Sequence, residues 1–306
     1  HITDAIRLLA FNLWALDKEI ESVRITTENK KIVACMEQWC LERKIKFSLE
    51  HRPVKKHDHS MLRKIFDLFP NRLKGLIQLF RHIWAVRSLR GVGLEDWQNS
   101  DADITFFSYF FNLDVNKKSN GGFKSNLWPK LPEELSKRNC KTNWLHIFYS
   151  DISHPTSGDA KRLLKQFNKI AAKEQYHVAL ESFLNLSVIF ETLSDWLRIS
   201  KLANGLEPTM SNVECSGLNL WPLFKEEWHS SVTGAPSILG ILNFNLFEVA
   251  IRMLPTQRIG LYLYEQQSWE LGLISAWKAR SHGTVIGVQH STMLDWDMRY
   301  FHDPRS

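Results

Sequence analysis

The spacing of apolar positions along this chain changes several times, and each change marks a new element. Val23 to Thr26 is a short β-branched run that predicts a strand, Asn29 to Arg43 follows helical spacing, and Ile45 to Leu49 predicts a second strand. A strand, helix and strand in this order open an α/β layer. Leu62, Ile65, Phe66 and Phe69, then Leu73, Leu76, Ile77, Phe80, Ile83 and Trp84, recur at three and four residues, which predicts amphipathic helices broken near Pro70. Asp103 to Phe110 and Trp144 to Ser150 predict strands from their aromatic and β-branched content, with a polar loop from Asn116 to Ser125 and a proline-bounded turn from Trp128 to Pro132 between them. Helical spacing returns from Asp159 to Ala172, a short strand or helix covers His177 to Phe183, and Leu186 to Leu202 predicts a helix. Pro208 to Trp228 reads as irregular, and Pro236 opens a helix that reaches Met253.

The last unit has the clearest pattern. Leu261 to Tyr264 is a short buried strand, Ser268 to Arg280 is a helix with Leu271, Ile274 and Trp277 at core spacing, and Thr284 to Val288 is a second strand after His282-Gly283. Such βαβ crossovers are right-handed in about 98% of cases, so both strands run parallel and their carboxyl ends share one edge. Ligands of open α/β sheets bind at that edge. Glu265-Gln266-Gln267 follows the first strand and Gln289-His290-Ser291-Thr292 the second. The intervening helix aims its free N–H groups and positive dipole end at the same space.

Composition changes this picture little, and charge changes it locally. The 306 residues, 44% hydrophobic and 24% charged, are ordinary globular values that allow a large core. Twelve Trp and eighteen Phe are a heavy aromatic load, most of it core. Four cysteines without CxxC or metal-ligand spacing suit reduced, buried thiols of a cytoplasmic protein. No run of about 18 to 20 uninterrupted apolar residues and no signal-peptide order is present, so a soluble protein is expected. The chain opens on His1 rather than Met and stops just past a motif-rich run, so it reads as a fragment of a longer protein. Of the net +6 charge, residues 52–90 supply ten Lys/Arg against Asp58 and Asp67. Basic amphipathic helices of this kind fit either a solvated face on their own domain or peripheral contact with an anionic membrane. Nucleic acid is not expected as a partner, because no binding motif accompanies the charge. Gly91-Val92-Gly93 lacks a third glycine and a preceding strand, so it is a turn and not a dinucleotide loop.

A carboxylate, an imidazole and a helix start on one edge can supply a base for an acceptor hydroxyl and positive potential for an anionic donor. Glu265 is then a base or nucleophile, or alternatively a carboxylate that caps a backbone N–H. His290, directly after a strand end, is expected to face a ligand. Glu270 lies in the first helical turn, where the dipole alone would favour it. Gln266, Trp269, Gln289, Ser291 and Thr292 flank the same edge. Asp295, Asp297 and Arg299 belong to a run of carboxylates, guanidiniums and aromatics from Asp295 to Arg305, suited to sugar and phosphate recognition or to an Asp–Arg brace. Ser108, Tyr109 and Asn112 follow an earlier aromatic strand and can join the cleft, whereas His146 is a core histidine. Asp101-Ala102-Asp103 and Asp295-Trp296-Asp297 could hold Mg²⁺ or Mn²⁺, but turn chemistry accounts for the first and no metal is expected. Nucleophile elbows, HExxH, P-loops and paired CxxC are missing from the sequence.

At Tyr262 to Glu270, Ser275-Ala276-Trp277, His282-Gly283, Gly287 to Thr292 and Asp295 to Arg305, the sequence resembles a bacterial family of surface carbohydrate (O-antigen) biosynthesis proteins. Phe106 to Phe110, Asn112-Leu113-Asp114, Ser125, Trp128 and Asn143 to His146 carry the resemblance through most of the chain. The Gly-Val-Gln-His element is also similar to one in lipopolysaccharide and capsule Kdo transferases. The resemblance implies a Rossmann-like parallel sheet flanked by helices, the N-terminal part of a GT-B-like two-domain glycosyltransferase. Residues 1–306 would be one domain with helical additions at about 52–90 and 159–253, and a nucleotide-binding domain would follow. The implied substrates are a nucleotide-activated sugar and a glycan or lipid-linked acceptor, with no cofactor required, in the bacterial cytoplasm or peripherally at the inner membrane. Family members often carry Asn where Gln266 stands, a departure that alters the reach of the amide. A non-catalytic carbohydrate-pathway protein that binds glycan or a partner enzyme through the same cleft is the alternative.

Overall fold

The computed structural model describes residues 2–50, 66, 68–110, 123–150, 156–170, 174–212 and 214–289. Along them the strands are β1 (Ser22–Thr26), β2 (Lys46–Glu50), β3 (Ile104–Tyr109), β4 (Thr142–Ile147), β5 (Gln175–Ala179), β6 (Glu214–Cys215), β7 (Leu218–Asn219), β8 (Ile259–Leu263) and β9 (Thr284–Val288). The chain folds as two compact units, His1–Gln78 with Asp195–Ile238, and Leu79–Ser194 with Leu239–Ser306.

In the first unit β1 and β2 pair in parallel, Val23 opposite Phe47 and Ile25 opposite Leu49, around the helix Lys30–Glu42. That helix starts where Asn29 Oδ1 accepts the Lys31 N–H, an N-cap that satisfies one orphan donor. Alternating exposure along both strands leaves one covered face. The core beneath holds Cys35, Met36, Trp39 and Leu223, and Trp39 Nε1 donates to Asn12 Oδ1 at 2.7 Å. The predicted opening layer is therefore real, but it forms a two-stranded sheet of its own.

The irregular tract expected from Pro208 to Trp228 is mostly regular. Helix Leu186–Ser211 runs through Pro208, which removes one N–H from the ladder three residues before the helix ends. A hairpin of β6 and β7 follows, its two-residue turn built by Ser216 (φ 54) and Gly217 (φ 74), both in the left-handed conformation such turns need. Pro222 then stands in the first turn of helix Trp221–Thr233, where its missing N–H would be unpaired anyway. The stretch Trp221–Met253 is long and apolar enough to cross a membrane, and 56% of its most apolar window is buried, as in a core helix.

The second unit is a five-stranded sheet in the order β5-β4-β3-β8-β9, with every pairing parallel. In chain order this is the 3-2-1-4-5 arrangement of a Rossmann-like fold, with helices flanking the sheet. β3 and β4 are buried at every residue, the pattern of strands covered on both faces. Phe106 stacks on Trp144 with ring centroids 4.2 Å apart, and Trp128 packs against both. Phe107 packs between Phe247 and Trp277. Ser100, Asn143, Gln257 and Thr105 hydrogen-bond one another, and the Gln257 amide reaches back to the Ala102 and Pro255 carbonyls, so these buried polar groups are satisfied.

His146 lies in this core, as expected. Its ring is parallel to that of His177 on β5, with Nε2 3.2 Å from His177 Nδ1, and burial pushes His146 down to about 3 and His177 well below the usual histidine range. Both are neutral at physiological pH. β4 ends at Ile147, so Phe148, Tyr149 and Ser150, predicted as strand, belong to the loop beyond it. Thr284–Val288 forms the edge strand β9, entered through Gly283, where a Cβ would meet the Arg258 carbonyl oxygen.

Candidate functional site

Parallel pairing puts the carboxyl ends of all five strands on one edge. Chain order reverses sides at β3, so the ends of β3 and β8 meet at the switch point, the place where open sheets of this kind bind ligands. Tyr109 ends β3 and Glu265 stands two residues past the end of β8. The Tyr109 hydroxyl accepts a 2.7 Å hydrogen bond from Trp269 Nε1 and hydrogen-bonds with the Glu265 carboxylate. Burial, and secondarily the Glu265 charge, raise Tyr109 well above the usual tyrosine range, so its hydroxyl keeps its proton. The half-buried Glu265 is thus held on one side by a Trp–Tyr relay, an arrangement able to orient a base.

The capping role left open for Glu265 is filled by Glu270. Its Oε1 accepts the N–H groups of Glu265 and Gln267 at 2.9 and 2.8 Å, and the Gln267 side chain accepts the N–H of Glu270 in return, a capping box at the start of helix Ser268–Ala279. Glu270 is buried, and burial raises its carboxyl above the usual range. Gln266 adopts φ 59 and its Nε2 donates to the Tyr264 hydroxyl at 3.0 Å. The loop that carries Glu265 is consequently fixed at its backbone.

Trp269 and Ser108 are 3% exposed each, so they support the edge from within and do not present a platform. Trp269 stacks on Phe247 and meets Tyr109 and Tyr262 edge-on. Gln289 follows β9 and is exposed. Asn112, His290, Ser291, Thr292, Asp295, Asp297 and Arg299 lie outside the described residues. Asp101 and Asp103 stand at the amino end of β3, the opposite edge, where Asp101 pairs with Lys141 and accepts from the Tyr176 hydroxyl and Asp103 pairs with Arg258. Among the described residues no group of three or more His, Cys, Asp or Glu side chains could hold a metal ion.

Sequence reasoning missed a second carboxyl on the carboxyl edge of the sheet. Glu181 follows β5 in a short 3₁₀ turn and is 2% exposed, yet it lines a cavity of about 610 Å³ at the ends of β4 and β5. Its oxygens accept the Phe148 N–H at 3.2 and 3.3 Å. Burial outweighs these backbone donors and raises the carboxyl to about 8. Tyr149 lines the same cavity and meets the Tyr109 ring at 5.6 Å, so one aromatic contact joins the cavity to the Glu265 crevice. The signal was a lone Glu among the apolar residues Leu180, Phe183 and Leu184. Comparison of the chain with protein-family models, with curated proteins and with solved structures finds no match to any of them.

Proposed function

We propose that this chain is the acceptor-side part of a bacterial glycosyltransferase of surface-polysaccharide assembly, with Glu265 as the base that takes the proton from an acceptor hydroxyl. The observation that carries the proposal is the position of Glu265. It is a partly exposed carboxylate at the crevice of a Rossmann-like sheet, oriented by Tyr109 and Trp269 and mounted on a loop that Glu270 holds rigid. A base must be fixed within reach of the hydroxyl it serves, and this loop provides such fixation. The resemblance of the Tyr262–Glu270 and Gly287–Thr292 segments to surface carbohydrate biosynthesis proteins supports the reaction class.

On this proposal the protein has the two-domain GT-B-like form, a nucleotide-activated sugar is held by a domain beyond Ser306, and His290 joins Glu265 at the interdomain cleft. The experiment is sugar transfer by full-length protein from candidate nucleotide-activated donors, wild type beside Glu265→Gln and His290→Ala. Transfer that depends on both residues is expected. Undiminished transfer in both variants would remove the site assignment.

A further inference from the structure

The geometry points to a second binding site: the cavity at the carboxyl ends of β4 and β5 takes an uncharged sugar, with Glu181, Asn243 and Tyr149 hydrogen-bonding its hydroxyls. At about 610 Å³ the cavity lies within the range of small-molecule sites. Its polar lining has capacity to spare. The side chains of His82, Ser88, Tyr149 and Asn243 line it and make no hydrogen bond to any described residue. Glu181, 2% exposed, accepts only backbone N–H groups among the described residues, its own and that of Phe148. Its oxygens keep lone pairs for a ligand, and a proton on the group would add a donor. Polar capacity left open at this depth is costly, and ligand hydroxyls would fill it. Val86, Ile147 and Leu239 line the cavity as well, and the half-exposed Tyr149 adds a ring. Apolar walls with a few convergent polar groups match a sugar, which shows both C–H and O–H groups.

The walls offer no counter-charge. Arg87 donates to the Trp84 carbonyl at 2.7 Å and stacks on the outward-facing Trp84 ring, so its guanidinium is already engaged. The C-terminal end of helix Asn71–Val86 and the first turn of helix Ser157–Ile170 share the wall, and their opposite dipole ends offset each other. Burial favours the neutral form of Glu181, which holds no cation. Hydroxyls are what remains for these groups to bind. Tyr149 also meets Tyr109 edge-on, and Tyr109 holds Glu265. A glycan whose reacting hydroxyl stands at Glu265 can therefore seat its next sugar in the cavity.

Reading the ligand as part of an acceptor rests on the transferase proposal, so binding is scored apart from transfer. Saturation-transfer NMR titrations of the full chain would use neutral glucose, galactose, mannose and N-acetylglucosamine beside anionic glucuronate and cationic glucosamine. At least one neutral sugar is expected to bind about tenfold or more tightly than either charged sugar. Asn243→Ala and Glu181→Leu should each weaken that binding about tenfold or more, and Glu181→Gln, which keeps an acceptor and a donor, should restore it. Absence of binding by all four neutral sugars, a charged sugar bound as tightly as the best of them, or wild-type binding by Asn243→Ala or Glu181→Leu would overturn the inference. If Glu181→Leu does not fold, Asn243→Ala and Tyr149→Phe, which removes only a hydroxyl, decide it. Neutral-sugar binding that these variants weaken, found together with undiminished transfer by Glu265→Gln, would remove the base assignment and leave this site standing.

Discussion

Gln266 shows how much of the site is set by one backbone angle. A non-glycine residue in the left-handed region costs about 1–2 kcal/mol, because Cβ approaches the following carbonyl. Gln266 (φ 59) bears this cost between two amides held by Glu270 and with its own side chain on Tyr264. Asparagine adopts this conformation more readily. Gln266→Asn relieves the backbone but draws the amide away from the Tyr264 hydroxyl, two opposed effects of about 1 kcal/mol each. Unfolding free energy in urea titrations is therefore expected within about 1 kcal/mol of wild type, and a loss above about 2 kcal/mol would contradict the account. The sequence marks Gln266 as following a strand end, but no side-chain pattern reveals the sign of φ for a glutamine. The division of labour between the neighbouring carboxylates was half legible. Gln267-x-x-Glu270 has capping-box spacing, whereas only the fold shows that this frees Glu265 for other work.

At the scale of elements, helix Asn71–Val86 carries two apolar faces. Leu79 and Val86 point inward and are buried, while Leu73, Phe80 and Trp84 face out, 41%, 64% and 68% exposed. Arg72 and Arg81 are exposed beside this outer stripe, and Arg87 stacks over Trp84 at 4.1 Å. An outward apolar stripe edged by arginines suits an anionic membrane surface, with the rings entering the headgroup region and each arginine contributing about 1 kcal/mol. Arg72→Ala with Arg81→Ala is thus expected to weaken binding to phosphatidylglycerol-containing vesicles about tenfold or more in a sedimentation assay. Binding unchanged by the pair would eliminate membrane docking through this helix. The three- and four-residue spacing from Leu73 to Trp84 made the helix legible. Which of its apolar residues face inward depends on what packs there, and spacing does not encode that.

The Pro208–Trp228 tract shows the reverse error, where prolines read as breakers stand at a helix end and a helix start. The βαβ unit of β8 and β9 was recognisable because both strands are short apolar runs around a periodic helix. The pairing of β3 with β8, which places Tyr109 beside the Glu265 loop, joins segments far apart in sequence and left no local trace.

Across the whole molecule, buried titratable groups make stability depend on pH in two directions. His146 and His177 have depressed pKa values when folded, so below about 6.5, the ordinary histidine value, the unfolded chain takes up protons that the folded one refuses. Their contribution is lost as pH falls. Glu181 has the opposite sign. Between the ordinary carboxyl value of 4.5 and about 8 the folded chain keeps a proton that the unfolded one releases, so its contribution is lost as pH rises. Two histidines outweigh one carboxyl below 6.5, and above it the carboxyl of Glu181, raised to about 8, sets the direction of the change. Stability should peak at about pH 6.5 and fall by about 2 kcal/mol by about pH 8. Urea unfolding across this range tests the pattern, with Glu181→Gln expected to lose the alkaline decline. A decline that survives in Glu181→Gln would place its cause elsewhere.

The buried rings and polar network from β3 to β8 frame the sheet between two different edges. On the proposed function Glu265 is the base on the carboxyl edge, whereas Asp103 is paired with Arg258 on the amino edge. The most direct test is the turnover of sugar transfer by full-length protein for wild type, Glu265→Gln and Asp103→Asn. Loss of a general base costs about 10²–10⁴-fold in rate, so Glu265→Gln should fall by that factor while Asp103→Asn stays within about twofold of wild type. Equal turnover in wild type and Glu265→Gln, or a loss confined to Asp103→Asn, would contradict the assignment of the working edge.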